Sequence, residues 1–176
     1  MFFYHLDSEM KFKKGDIVNF VSLPTNSNTE IVDYCKTHFP EGLSNMGKKY
    51  SAYITPQSFE YSVYTSEILL EIFRQKSFSH LPSRFQCIFC SDSLEQCELW
   101  FKQLKLNSAN VLVFESDKIY RFDAAWRDII SANLNMCSVE LFSNNYWSGK
   151  IFSEDSRVEY LLPLPLKVVD VIPYKH

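Results

Sequence analysis

Glycine is scarce, with four in 176 residues. A backbone needs glycine to wrap closely around a phosphate or to repeat tight turns. Collagen-like, repeat and glycine-rich phosphate-loop readings therefore lose their basis. There is no Gly-x-Ser-x-Gly turn. None of His5, His38, His80 and His176 has a nucleophile beside it in sequence, which leaves a serine or cysteine hydrolase without its signature. No apolar run approaches the ~20 residues of a membrane-spanning helix, so no membrane partner is expected. A net charge of −3 lacks the cationic excess of a dedicated nucleic-acid coat, and the clusters Lys11, Lys13, Lys14 and Lys48, Lys49 read first as solvated surface. Cysteines number five, an odd count, and Met1–Asp7 turns acidic too soon for a secretory leader. Reduced thiols and a cytoplasmic location are expected.

Hydrophobic residues at 46% and charged residues at 22% are ordinary for a globular chain, and 176 residues suffice for one domain with a core of its own. Aromatic residues at 16% point to sheets and aromatic-walled pockets. Strands are predicted at 2–6, 17–21, 84–90, 110–114, 118–122, 138–142, 157–162 and 166–171. Leu23–Asn28 and most of residues 40–58 read as loop. Helices are predicted from Thr29 through Cys35, over 65–76 with Thr65 or Ser66 as cap, after Ser91 or Ser93 through Leu104, and over 124–132. Ile68, Leu69, Ile72 and Phe73 form the apolar stripe of the second. Strands outnumber helices without strict alternation, which predicts an α+β single domain. The segment Pro82–Ser91 reads as a strand covered on both faces that runs directly into a helix.

Cys87-x-x-Cys90 resembles a metal or redox pair, but residues three apart on a strand point to opposite faces, so packing is the expected role and no metal is predicted. Four other fragments carry polar chemistry: Tyr4-His5 on the opening strand, Pro82-Ser83-Arg84, Asn145-Tyr146-Trp147-Ser148-Gly149, and Glu159 entering a late apolar strand. Taken singly, each has a structural reading: a satisfied imidazole, a surface ion pair, a core aromatic and an edge-strand charge.

In this order the fragments resemble the ADP-ribosyltransferase family, in the class with a His on the first strand and a Glu on a late strand, and its small bacterial and phage members. Tyr4-His5 is similar to the opening Tyr-His, although Leu6-Asp7 stands where Gly-Thr is frequent. Phe89-Cys90-Ser91 and the following helix resemble the second motif, and Glu159 the third. The resemblance implies a split β-sheet core with flanking helices and NAD as co-substrate. Cleaving the nicotinamide–ribose bond develops oxocarbenium-like charge. Glu159 is then the catalytic carboxylate that stabilises it, and His5 bonds ribose hydroxyls. Arg84 clamps the pyrophosphate, Phe89, Tyr146 and Trp147 sandwich nicotinamide, and Ser83 and Ser91 act as short-range donors. Arginine-modifying members carry Gln or Glu two residues before the catalytic Glu. Arg157 occupies that position here, so the implied acceptor is another protein side chain or a nucleic acid. The competing expectations are a catalytically inert binding module on the same fold, docking a host protein, and an unrelated α+β interaction protein.

Overall fold

The computed structural model describes residues 1–22, 29–51 and 61–175. These form an α+β domain around two antiparallel sheets. The four-stranded sheet has the order β1 (Phe2–Asp7), β4 (Ser108–Glu115), β7 (Leu166–Lys175), β2 (Ile17–Val18). The three-stranded sheet has the order β3 (Cys87–Cys90), β6 (Val158–Pro163), β5 (Tyr120–Asp123). The sheets touch edge to edge where Tyr4 of β1 exchanges backbone bonds of 2.9 and 2.8 Å with Ser91. Around them lie α1 (Thr29–His38), α2 (Asn45–Ser51), α3 (Tyr61–Ser77), α4 (Leu94–Gln103), α5 (Ala124–Ala132) and α6 (Met136–Trp147).

Strand alternation sorts the residues of the smaller sheet into two cores. Ile88, Cys90, Tyr160 and Leu162 pack with Phe3, Leu112, Phe114 and Val168 of the larger sheet. Cys87 and Leu161 turn the other way, toward Leu70, Trp126, Ile130, Tyr146 and Trp147 of the helices. The strand at 87–90 is thus covered on both faces, as its apolar run predicts. Cys87 and Cys90 fall in separate cores. Burial pushes the Cys87 thiol up to about 12, and that of Cys90 well above its ordinary value, which leaves both protonated and unreactive.

Several predicted elements differ. The predicted strand 138–142 lies inside α6, whose cap is Asn135 accepting from Ser138 N at 3.0 Å. Val139, Phe142 and Tyr146 pack on the helical core at spacings of three and four, so the periodicity there is helical. Residues 45–51, read as loop, form α2; Leu23–Asn28 and Pro56 lie outside the described residues. Residues 84–86 form one turn of 3-10 helix ahead of β3. Helix α3 includes Tyr61–Ser77, which places Thr65 and Ser66 inside it. Its orientation is the largest departure: Ile68 and Ile72 are 40% and 44% exposed, whereas Ser66, Glu67, Leu70, Glu71 and Arg74 are buried.

Helix α2 packs on the 3-10 turn through a glycine. A Cβ on Gly47 would come within 2.7 Å of the Cα and carbonyl carbon of Phe85, and closer still to its oxygen. Gly47→Ala is therefore expected to lower stability by about 3 kcal/mol through overpacking. Gly15→Ala has open space but a positive φ of 93° and should cost about 1–2 kcal/mol. Urea midpoints of both variants check the ranking, which reverses if α2 does not rest on Phe85.

Candidate functional site

Glu67, Glu71 and Arg74 follow one another at four and three residues on α3, which puts them on one helical face with Leu70. That face meets Pro82-Ser83-Arg84. Ser83 Oγ caps the 3-10 turn by accepting from Phe85 N at 3.1 Å and donates to Glu71 Oε2 at 2.8 Å. Arg74 pairs with Glu71 at 2.8 Å and donates to the Leu81 carbonyl at 2.8 Å, tying the end of α3 to the turn. The turn directs Arg84 inward, where its side chain has no exposed surface.

Arg84 makes a two-pronged bond to Glu67, Nε to Oε2 at 2.7 Å and Nη2 to Oε1 at 2.8 Å. Its Nη1 donates to Glu159 Oε1 and meets the Tyr146 hydroxyl, which itself donates to Glu159 Oε1 at 2.8 Å. The guanidinium lies 4.5 Å from the Phe89 ring centroid and 5.1 Å from that of Tyr146. Burial opposes charge on both partners of the Arg84–Glu159 pair. The carboxylates of Glu159 and Glu67 nevertheless hold the Arg84 pKa well above its ordinary value, and Arg84 holds the Glu159 carboxyl below its own. From Glu67 the network continues outward through Arg127 to Asp128 and Arg157, whose guanidinium lies 5.0 Å from the Trp100 ring.

A separate cleft of about 380 Å³ opens beside β1 and β3, within the size range of small-molecule sites. His5, Phe89, Phe12, Lys11, Lys48 and Lys49 are among its lining residues. The Nδ1 of His5 lies 2.7 Å from the Phe89 carbonyl, which can only accept, so Nδ1 carries the proton. Burial outweighs that bond and the nearby Asp7 charge and depresses the His5 pKa below 6.5. The ring is neutral at pH 7, and Nε2 is its remaining acceptor. Asp7 shapes the adjoining loop, its carboxylate accepting from the backbone of Glu9, Lys11 and Phe12 at 3.2, 2.8 and 3.2 Å.

The residues singled out from sequence therefore divide. His5 and Phe89 reach the cleft. Arg84 and Glu159 come together, but in the core, so neither the pyrophosphate clamp nor the catalytic carboxylate lies in the cleft with His5. The reason is charge: an arginine without exposed surface requires carboxylates around it, and Glu159, only 4% exposed, is one of them. Tyr146 and Trp147 sit on the last turn of α6, Trp147 donating to the Leu70 carbonyl at 2.9 Å, and neither lines the cleft. Ser83 is a cap, and Ser91 joins the two sheets. Sequence reasoning missed Glu67, whose spacing to Glu71 and Arg74 is the available signal. Lys11, Lys48 and Lys49, read from sequence first as solvated surface, line the cleft together, a convergence that exists only in space.

The chain belongs to the family described as "Protein of unknown function (DUF2441)", which it matches over residues 3–174. No curated protein matches it.

Arg84→Met leaves Glu67 and Glu159 buried without their shared cation and should cost about 3–5 kcal/mol. Glu159→Gln, which leaves Arg84 paired with Glu67, should cost less, about 1–3 kcal/mol. A Glu159 that faced solvent would give no loss in the same denaturation experiment. The depressed Glu159 pKa also fixes a pH dependence. The unfolded chain takes up this proton near its ordinary value of 4.5, ahead of the folded one, so the pair's contribution is full above 4.5 and fades as pH falls toward the folded pKa. Acid titrations of denaturant midpoints should lose part of that slope in Glu159→Gln.

Proposed function

We propose that the protein binds NAD, or a closely related dinucleotide, in the cleft beside His5. On this reading it is a binding module with an ADP-ribosyltransferase-like split pair of sheets, in which Glu159 is structural. The observation that carries it is the neutral His5 ring in the cleft wall, fixed through Nδ1 to Phe89 and left with Nε2 as an acceptor for a ribose hydroxyl. Phe12, which lines the cleft, supplies aromatic surface for a base or nicotinamide. Lys11, Lys48 and Lys49 supply the positive charge for a pyrophosphate that the sequence assigns to Arg84. The order of parts also supports the resemblance: His5 on the opening strand, a strand-to-helix passage at Phe89–Ser93, and a Glu on the penultimate strand, with the first two adjacent in space.

Transferase chemistry asks for a carboxylate at the ribose. Glu159 accepts from Arg84 and Tyr146 in the core, where the Phe89 ring also lies on Arg84. The charge that would stabilise an oxocarbenium centre is already neutralised by a guanidinium. Of the two functions that the resemblance allows, this geometry favours the inert module.

Calorimetry with NAD is expected to show binding, weakened about tenfold in His5→Ala for the loss of one ribose hydrogen bond. Because burial holds the His5 pKa below 6.5, affinity should persist through pH 6.5 and fall only as the ring protonates at lower pH. Labelled NAD incubated with protein and lysate should give no transfer. Absence of NAD binding overturns the proposal. Transfer that is lost in a folded Glu159→Gln variant would instead restore the transferase.

A further inference from the structure

We infer that His5 is the wedge that holds its cleft open: the imidazole takes the Phe89 carbonyl that would otherwise zip β1 to β3, so the cleft is a fork in a β ladder, poised to close. What keeps the fork open is independent of the dinucleotide proposed to fill it.

Backbone groups point alternately to the two sides of a strand, so facing positions recur at every second residue. Tyr4 and Ser91 spend both their N–H and C=O groups on each other, at 2.9 and 2.8 Å. Leu6 therefore turns its backbone groups to the same side as Tyr4, and Phe89 turns its own to the same side as Ser91. In a continued antiparallel ladder Leu6 and Phe89 form the next bonded pair. They do not pair here, and Tyr4–Ser91 stands as an isolated bridge. The Phe89 carbonyl accepts instead from His5 Nδ1 at 2.7 Å. A side chain has taken the acceptor that the Leu6 N–H would use.

The cleft opens where this pairing stops. His5, Leu6 and Asp7 line it from β1, and Phe89, Ile88 and Cys87 line it from β3, all of them beyond the bridge on the same side. Closing would leave both sheets in register, because β1 pairs with β4 and β3 with β6 along their opposite edges. Other anchors act only at the strand ends. The Cys87 N–H returns to the Arg84 carbonyl, and the Asp7 carboxylate holds the loop after β1. The His5 bond acts at the missing pair itself.

The test is amide hydrogen exchange followed by NMR on the protein without NAD. In the parent, the Leu6 and Phe89 amides should exchange at least about tenfold faster than those of Tyr4 and Ser91. In His5→Ala the Leu6 and Phe89 amides should slow by about tenfold or more. A close Hα–Hα contact should also appear between Asp7 and Ile88, the non-bonded pair that follows. His5→Asn places an amide donor where Nδ1 stands and should keep the parent pattern, a rescue that a merely space-filling ring would not show. The inference is overturned if Leu6 and Phe89 are already protected in the parent, a result that needs no variant to fold. It is equally overturned if His5→Ala leaves their exchange unchanged, or if His5→Asn closes as His5→Ala does. NAD binding is read separately: His5→Asn stays open but lacks the Nε2 acceptor, so its calorimetry tests the ribose bond alone, and the tenfold loss in His5→Ala becomes a lower limit.

Discussion

The guanidinium of Arg84 is the constraint on which the interior depends. A cation with no exposed surface costs several kcal/mol in lost hydration unless its donors are met. Here Glu67 on α3 and Glu159 on β6 meet them, with Tyr146 on α6 completing the shell. Three elements distant in sequence are thereby held to one side chain on a short turn. A hydrophobic core tolerates sliding because its attraction has no direction. A forked guanidinium does not, since its donors sit at fixed angles. The network thus sets the register of the helical layer against the smaller sheet, a task that the apolar contacts of Leu70, Leu161 and Trp147 could satisfy in more than one way.

The same constraint explains where the sequence was readable. Covered strands such as 87–90 and 158–163 carry continuous apolar runs, and capped helices such as 94–103 and 124–132 announce their starts at Ser93 and Asp123. Those elements follow from local signals. Helix α3 does not, because its buried face is charged. Reading Ile68 and Ile72 as the inward stripe assumes that burial selects apolar residues, a rule that fails where each buried charge has a partner. The partner of Glu67 lies 17 residues away and that of Glu159 lies 75 away, at Arg84 in both cases. No window of local sequence contains either pair. The strand read at 138–142 failed for a different reason. Val139 and Leu141 alternate as in a strand, but Leu141 is exposed while Val139 and Phe142 pack inward. Three apolar positions over so short a span do not separate a period of two from one of 3.6.

The candidate site was legible in its residue types more than in its grouping. His5 and Glu159 stood out as polar groups on apolar strands. Arg84, however, read singly as a surface ion pair and Glu159 as an edge-strand charge, whereas Arg84 is fully buried and Glu159 sits on the central strand of its sheet. What sequence cannot supply is which of them solvent reaches. The cleft lysines show the converse. Individually unremarkable at positions 11, 48 and 49, they acquire meaning only because the β1–β2 loop and α2 fold against the same opening.

Phe89 connects the two halves of the structure. Its ring carries the guanidinium of Arg84 and packs against the helical core, and its carbonyl holds Nδ1 of His5 at the cleft. The orientation of the His5 acceptor therefore depends on a backbone position fixed from behind by the buried ion network. A cleft imidazole positioned only by its own strand would be free to exchange tautomers and rotate. One anchored to β3 presents a single acceptor in a single direction, and reorientation is among the costs that reduce binding affinity. The buried charges thus bear on the cleft wall without lining it. They hold Phe89, Phe89 holds His5, and under the proposed NAD reading the neutral ring that results would be the group offered to a sugar hydroxyl.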